Sequence, residues 1–191
     1  MPSSGRVALS LSYDGSAYRG WQSQANEKVE TVQDALQQAL SRVANETITV
    51  QCAGRTDSGV HASEQIVHFD SQALRSEKAW VRGGNSYLPA DIAIHWAKSV
   101  TSEFNARHSA NARRYRYLIL NTPTRSALLP RGVTWEKQRL DESLMHQAAQ
   151  ALLGELDFSS FRAAGCQSAT AMRHVHFIQV FRQGDLVVID I

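Results

Sequence analysis

Val7, Leu9, Leu11 and Tyr13 alternate with Ala8, Ser10 and Ser12, a period of two that suits a strand with one face buried. The next strong pattern has a different period. Val32, Ala35, Leu36, Ala39, Leu40 and Val43 recur every three or four residues and so fall on one helical face, with Thr31 and Asp34 as a capping pair in front of them. Strands are then expected over 48–53 and 61–69, a second helix starting near Ser76, and a strand from Ile92 to Val100. The order β-α-β-β-α-β is that of the split βαβ or ferredoxin-like unit, whose four-stranded antiparallel sheet recurs in RNA-recognition folds.

Between Glu103 and Ala110 the hydrophobic patterning lapses, which predicts a first domain over 1–104 and a second over 105–191. The second half opens with a strand from Arg113 to Asn121. Leu144, Ala148, Ala151 and Leu152 share a helix face, with Asp141 as N-cap and Gly154 as stop. Val175, Phe177, Gln179 and Phe181 alternate into a turn at Gln183-Gly184-Asp185, and Leu186 to Ile191 is the return strand. The expected class is therefore α+β: two ferredoxin-like, RRM-like β-α-β-β units with antiparallel sheets, the second incomplete because it lacks the closing helix and strand of the first.

Composition bounds the function without naming it. With 191 residues, 43% of them hydrophobic, the chain can bury a real core. Its net charge of +2 and pI near 8.7 are too mild to diagnose nucleic-acid binding alone. No apolar run approaches the roughly 20 residues that span a bilayer, and Met1 to Arg6 lacks the apolar segment of a signal peptide. A soluble, cytoplasmic protein is expected. The two cysteines, Cys52 and Cys166, have no C-x-x-C partner and no neighbouring histidine pair, so they read as reduced thiols rather than as zinc ligands or a redox pair.

The chemistry concentrates in Ala53-Gly54-Arg55-Thr56-Asp57-Ser58-Gly59-Val60-His61-Ala62, a polar run turning between two strands. Loops on such scaffolds carry function, and Gly54 and Gly59 let a ligand approach the main chain. Asp57 offers a carboxylate that is charged at neutral pH without assistance, or it is an Asx-turn or cap residue. Arg55, two residues earlier, leaves an extended chain on the same side and either acts on a ligand or pairs with Asp57. Asp57 with His61 would make two metal ligands, but no third stands at metal-site spacing.

This loop resembles, residue for residue, the active-site loop of the tRNA pseudouridine synthase A family, with Asp57 at the position of the catalytic aspartate. Tyr13-Asp14-Gly15 with Tyr18, Gly20, Trp21 and Gln22 is similar to the family's first motif. Arg113-Arg114-Tyr115-Arg116-Tyr117 and Asp157-Phe158-Ser159-Ser160-Phe161-Arg162 are similar to later ones, so the resemblance runs along nearly the whole chain. It implies an isomerase that converts uridine to pseudouridine at positions 38 to 40, in the anticodon stem-loop of tRNA, as a homodimer without metal or cofactor. Family members continue past the final strand with a helical segment that supplies a further basic residue. The chain therefore reads as truncated, and a fragment that binds tRNA without turning it over is the alternative.

The resemblance also implies roles for individual residues. Arg55 would help displace the target base, and Tyr115 would contact the uracil. Strand alternation puts Tyr115, Tyr117 and Ile119 on one face and Arg114 and Arg116 on the other; ordinary strand tyrosines are the bland alternative, and Tyr117 is expected in the core. Arg107, His108, Arg113, Arg114 and Arg116 form a stripe with no acidic residue among them, suited to neutralising phosphates or to facing water. Arg107, Arg113, Arg114, Arg75 and the loop Gly165, Cys166, Gln167, Ser168 and Ala169 are the expected tRNA contacts. Tyr18 and Trp21 are candidates for buried anchors, with burial favoured for Trp21.

Overall fold

The computed structural model describes residues 3–24, 29–129, 131–162 and 170–191. The chain separates into two compact units, Met1–Arg113 and Arg114–Ile191.

The first unit runs β1 (Ser3–Tyr13), a 3-10 turn, α1 (Val32–Ala44), β2 (Gln51–Cys52), β3 (Ala62–Arg75), α2 (Glu77–Tyr87) and β4 (Ile92–Ser99). Its sheet has the order β2-β3-β1-β4 with every neighbouring pair antiparallel, which is the split βαβ arrangement. Thr31 caps α1 by accepting from the Asp34 N–H, while the Thr31 hydroxyl donates to the Asp34 carboxylate. Val32, Leu36, Ala39 and Leu40 are buried beneath it against Leu9, Leu11, Val67 and Phe69 of the sheet. Ser76 caps α2 through the Ala79 N–H. On α2, Trp80 meets Phe69 edge to face at 5.0 Å, a favoured aromatic geometry.

β1 is central and buried on both faces. On the face that carries Ala8 and His68, the segment after β4 packs down. Arg6 donates to the Ser102 and Phe104 carbonyls and pairs with Asp70, and buried His68 accepts the Ala106 N–H at Nδ1, 3.1 Å away. Burial, helped by Arg6, lowers the tendency of His68 to protonate, which keeps that acceptor available.

The second unit contains β5 (Arg116–Asn121), β6 (Thr134–Glu136), α3 (Glu142–Ala149), β7 (Gly154–Asp157), β8 (Met172–Val175), β9 (Gln179–Gln183) and β10 (Leu186–Asp190). Its main sheet is β6-β5-β10-β9, and β7 pairs with β8 separately. Read as β9-β10-β5-β6, this order repeats that of the first sheet, except that the last place is taken by β6, short and parallel to β5. The fold class is α+β.

Four details of the second half differ from expectation. The strand expected from Val175 through Phe181 is two strands: Val175 belongs to β8, where it pairs with Gly154, and Gln179 begins β9 beside Asp190. The alternation persists while the hydrogen-bond partner changes, and a one-dimensional pattern cannot register that. β6 and β7 were not expected, since each is short and half exposed. α3 turns a different stripe inward: Leu144 is 62% exposed, and Met145 and Ala149 pack on Ile119, Val180 and Val187. Both stripes are apolar, and the contact with β9 decides between them. Tyr117, expected in the core, is 55% exposed and its hydroxyl bonds Thr134 at 2.8 Å, because β6 beside it is too short to cover it.

Asp190 is the buried charge of this unit, 2% exposed. It sits between two arginines: Arg114 forks onto it, with Nε to Oδ1 at 2.8 Å, and Arg116 Nη2 reaches Oδ2 at 2.5 Å. These bonds, Arg114's first, hold the carboxyl well below the usual carboxylate range. A depressed folded-state value stabilises the fold above the unfolded value of about 4 and loses that contribution as pH falls further. Thermal unfolding followed by circular dichroism should therefore drop steeply below about pH 4, and Asp190→Asn should flatten that acid limb while lowering the neutral-pH midpoint.

Candidate active site

The polar run of the sequence is the connection from β2 to β3. β2 is two residues long, so its own strand gives the loop little rigidity; the residues around the 3-10 turn Gly15–Ala17 supply it instead. The Trp21 N–H donates to the Thr56 carbonyl at 2.9 Å, and the Tyr13 hydroxyl and Thr56 Oγ1 are 2.8 Å apart. Ser58 Oγ and the Gly59 N–H both donate to the Tyr18 carbonyl. Tyr18 and Trp21 are buried, and the Tyr18 hydroxyl donates to Asp91 at 2.7 Å. Two glycines make the approach possible. A Cβ at Gly15 would run into the Val60 carbonyl, and one at Gly20, whose φ is +87°, would lie 2.8 Å from the Thr56 carbonyl oxygen.

Within this cradle Asp57 opens a turn closed by the Val60 N–H on its carbonyl at 3.1 Å, with Gly59 at φ +80°. The Asp57 side chain is exposed. Among the described residues its carboxylate makes no hydrogen bond or ion pair, in contrast to Asp14, which caps Ser16, and Asp141, which caps Ser143 and Leu144. The Asx-turn alternative is therefore not the conformation adopted. Nor is an Arg55–Asp57 pair among the ion pairs of the described residues. His61 lies 3.0 Å from Asp14 through Nδ1, so its bond is to the turn and not to Asp57.

The expected tRNA contacts separate into two kinds. Arg107 is exposed and its guanidinium makes no hydrogen bond or ion pair among the described residues; its turn is set by Asn105, whose Oδ1 accepts the N–H groups of Arg107 and His108. Arg113, by contrast, donates from Nε to the Ala53 carbonyl at 3.0 Å, and from Nη2 to that oxygen and to the Arg107 carbonyl. Arg75 caps the end of α1 through the Val43 carbonyl at 2.9 Å. Arg114 holds Asp190 and lies over the Phe177 ring at 5.4 Å. Gly165, Cys166, Gln167, Ser168 and Ala169 lie outside the described residues. Burial pushes the Cys52 thiol up to about 11, while the charges of Arg55, Arg107 and Arg113 pull the other way.

In the second unit, Tyr115 precedes β5. Its N–H donates to the Ile191 carbonyl at 2.8 Å and its carbonyl accepts the Ile191 N–H at 2.9 Å, so its backbone is fixed while the ring is 60% exposed. Sequence reasoning missed Tyr13 and Gln65 as supports of the loop. The available signal was a glutamine at 65 in the apolar stripe that continues with Val67 and Phe69.

A family profile described as tRNA pseudouridine synthase matches residues 10–109, from within β1 to the turn that carries Arg107. Three curated relatives are each called tRNA pseudouridine synthase A. That of Histophilus somni (strain 2336) is 60% identical over 186 residues, covering 97% of this chain and 68% of that protein. Those of Actinobacillus succinogenes and Legionella pneumophila (strain Lens) are 57% and 53% identical, each over 97% of this chain and 70% of the relative. With the loop, its cradle and nearly the whole sequence matched, the chain belongs to the tRNA pseudouridine synthase family.

Proposed function

We propose that this protein isomerises uridine to pseudouridine in the anticodon stem-loop of tRNA, with Asp57 as the catalytic residue. The observation that carries the reading is an exposed carboxylate, unspent on the protein among the described residues, on a backbone pinned from below by Tyr13, Tyr18 and Trp21. The reaction breaks the bond from uracil N1 to ribose C1′, turns the base and rejoins C1′ to C5. A proton leaves C5 and N1 gains one, so no redox step is involved. A carboxylate beside the sugar and the base suits both bond changes. The target nucleotide must leave its stack to reach it; the family resemblance gives Arg55 the space vacated and Tyr115 the stacking contact with the extruded uracil, worth about 1–3 kcal/mol. Arg107 neutralises backbone phosphate. The family resemblance supports a cytoplasmic homodimer as the working form, and among the described residues no helix is long and apolar enough to cross a membrane.

Asp57→Ala should lower tritium release from C5-labelled uridine in tRNA by on the order of 10³-fold or more, with the tRNA dissociation constant changed by less than about threefold. Turnover at the wild-type rate would remove Asp57 from the mechanism, and tRNA binding without release by the unsubstituted protein would favour a binding fragment. The arginines should divide in a salt titration of tRNA binding. Arg107→Ala should reduce the slope of log affinity against log salt by about one, whereas Arg75→Ala should leave the slope unchanged and lower the unfolding temperature, since its guanidinium caps α1.

A further inference from the structure

Gln65 stands on the core-facing side of β3, in line with Val67 and Phe69 and opposite Leu11. It is 6% exposed, and an amide so placed is costly unless its polar atoms are bonded. Among the described residues, all of its side-chain bonds run to the catalytic loop or its support. Nε2 donates to the Gly54 carbonyl at 2.5 Å, Oε1 accepts the Gly54 N–H at 3.4 Å, and Nε2 also reaches the Tyr13 hydroxyl at 3.5 Å. Donor and acceptor together match both polar groups of one residue's backbone, which a carboxamide offers and an ionised carboxylate does not.

The ladder changes register here. Leu11 faces Gln65 while Tyr13 faces Ala62, so β3 takes three residue steps where β1 takes two. Bulges of this kind occur beside active sites and re-aim side chains. Burial raises the Tyr13 phenol above its ordinary value, so the phenol keeps its hydrogen; with its oxygen accepting from Gln65, that hydrogen is available to Thr56 Oγ1.

We infer that Gln65 is a positioning residue for the catalytic loop: its amide holds Gly54 and, through Tyr13, the Thr56 hydroxyl, which fixes the backbone on both sides of Arg55 as Asp57 meets the uridine. This rests on Asp57 being the catalytic residue. Gln65 touches no reacting atom, so its contribution falls on turnover rather than on the grip on tRNA.

The test is steady-state tritium release from C5-labelled tRNA by Gln65→Met and Gln65→Glu enzyme, with thermal unfolding alongside. Gln65→Met fills similar volume without either hydrogen bond; kcat should fall by about tenfold to a hundredfold, since small misplacements of reacting groups cost that much, while KM stays within about twofold. Gln65→Glu can donate to the Gly54 carbonyl only when protonated, and burial raises its carboxyl. Its kcat relative to wild type should therefore rise as pH falls from about 8 to about 6. Wild-type kcat in a cooperatively folding Gln65→Met protein, or a loss confined to KM, overturns the inference, as does a flat ratio for Gln65→Glu; that ratio decides alone if Gln65→Met does not fold. Asp57→Ala is assayed in parallel. If it turns over normally, the catalytic reading falls and this inference with it; if it is inactive while Gln65→Met is fully active, only the positioning role falls.

Discussion

The antiparallel ladder between β1 and β3 organises the first unit. β1 is the central strand, buried on both faces, and its register with β3 brings Tyr13 opposite Ala62, the first residue after the loop that carries Asp57. From that point the chain leaves β1 and turns back under the loop, so the residues that follow the strand become its floor. The connection that carries Asp57 would otherwise hang between a two-residue strand and a bulged one. Backbone hydrogen bonds from Trp21 and to Tyr18, with glycines where Cβ atoms would collide, replace the missing strand pairing. Rigidity at Asp57 is thus borrowed from the first motif, which explains why two stretches more than thirty residues apart read as parts of one site.

Arginine is used in two ways, and which use applies is decided by neighbours rather than by the residue. A guanidinium has five N–H donors in a fixed fork and stays charged. Where a backbone carbonyl or buried carboxylate faces it, those donors are spent within the protein: Arg113 on Ala53, Arg75 on Val43, Arg114 and Arg116 on Asp190. Where the surroundings are a tight, self-satisfied turn, as at Asn105 to Ser109, the charge faces outward, and Arg107 is the example. The basic stripe read from the sequence is therefore part scaffold and part surface. Arg113 and Arg114, adjacent in sequence, meet different partners, the Ala53 carbonyl and the Asp190 carboxylate.

Much of the first unit was legible before its structure. The period-two run of β1, the one-sided stripe of α1, the Thr31 and Ser76 caps and the strand-loop-strand around Asp57 each combine local chemistry with a periodicity, and both agree with the tertiary contacts. The second unit was less legible for a physical reason. Its buried cluster is small, built on Ile119, Val180 and Val187, so weak local patterns are settled by pairing: β6 and β7 exist because partners are at hand, and α3 rolls its Met145 stripe inward although the Leu144 stripe is as apolar. Tyr117 stayed exposed for the same reason, with nothing broad enough beside it.

Residue order singled out the loop with Asp57 and Arg55, and in the second unit Tyr115, as residues with chemistry to offer, because a dense polar run between strands and a matched set of motifs are properties of residue order. It also set the order of elements in the first unit, since periodicity is a local consequence of backbone geometry. Tertiary structure decided what those residues are free to do. That the Asp57 carboxylate is left unspent among the described residues, that Arg113 serves the loop, and that Gln65 and Tyr13 lie beneath it depend on contacts between distant residues and on one register shift in a ladder. Hydrogen-bond partners are chosen by proximity in space, which residue order does not contain.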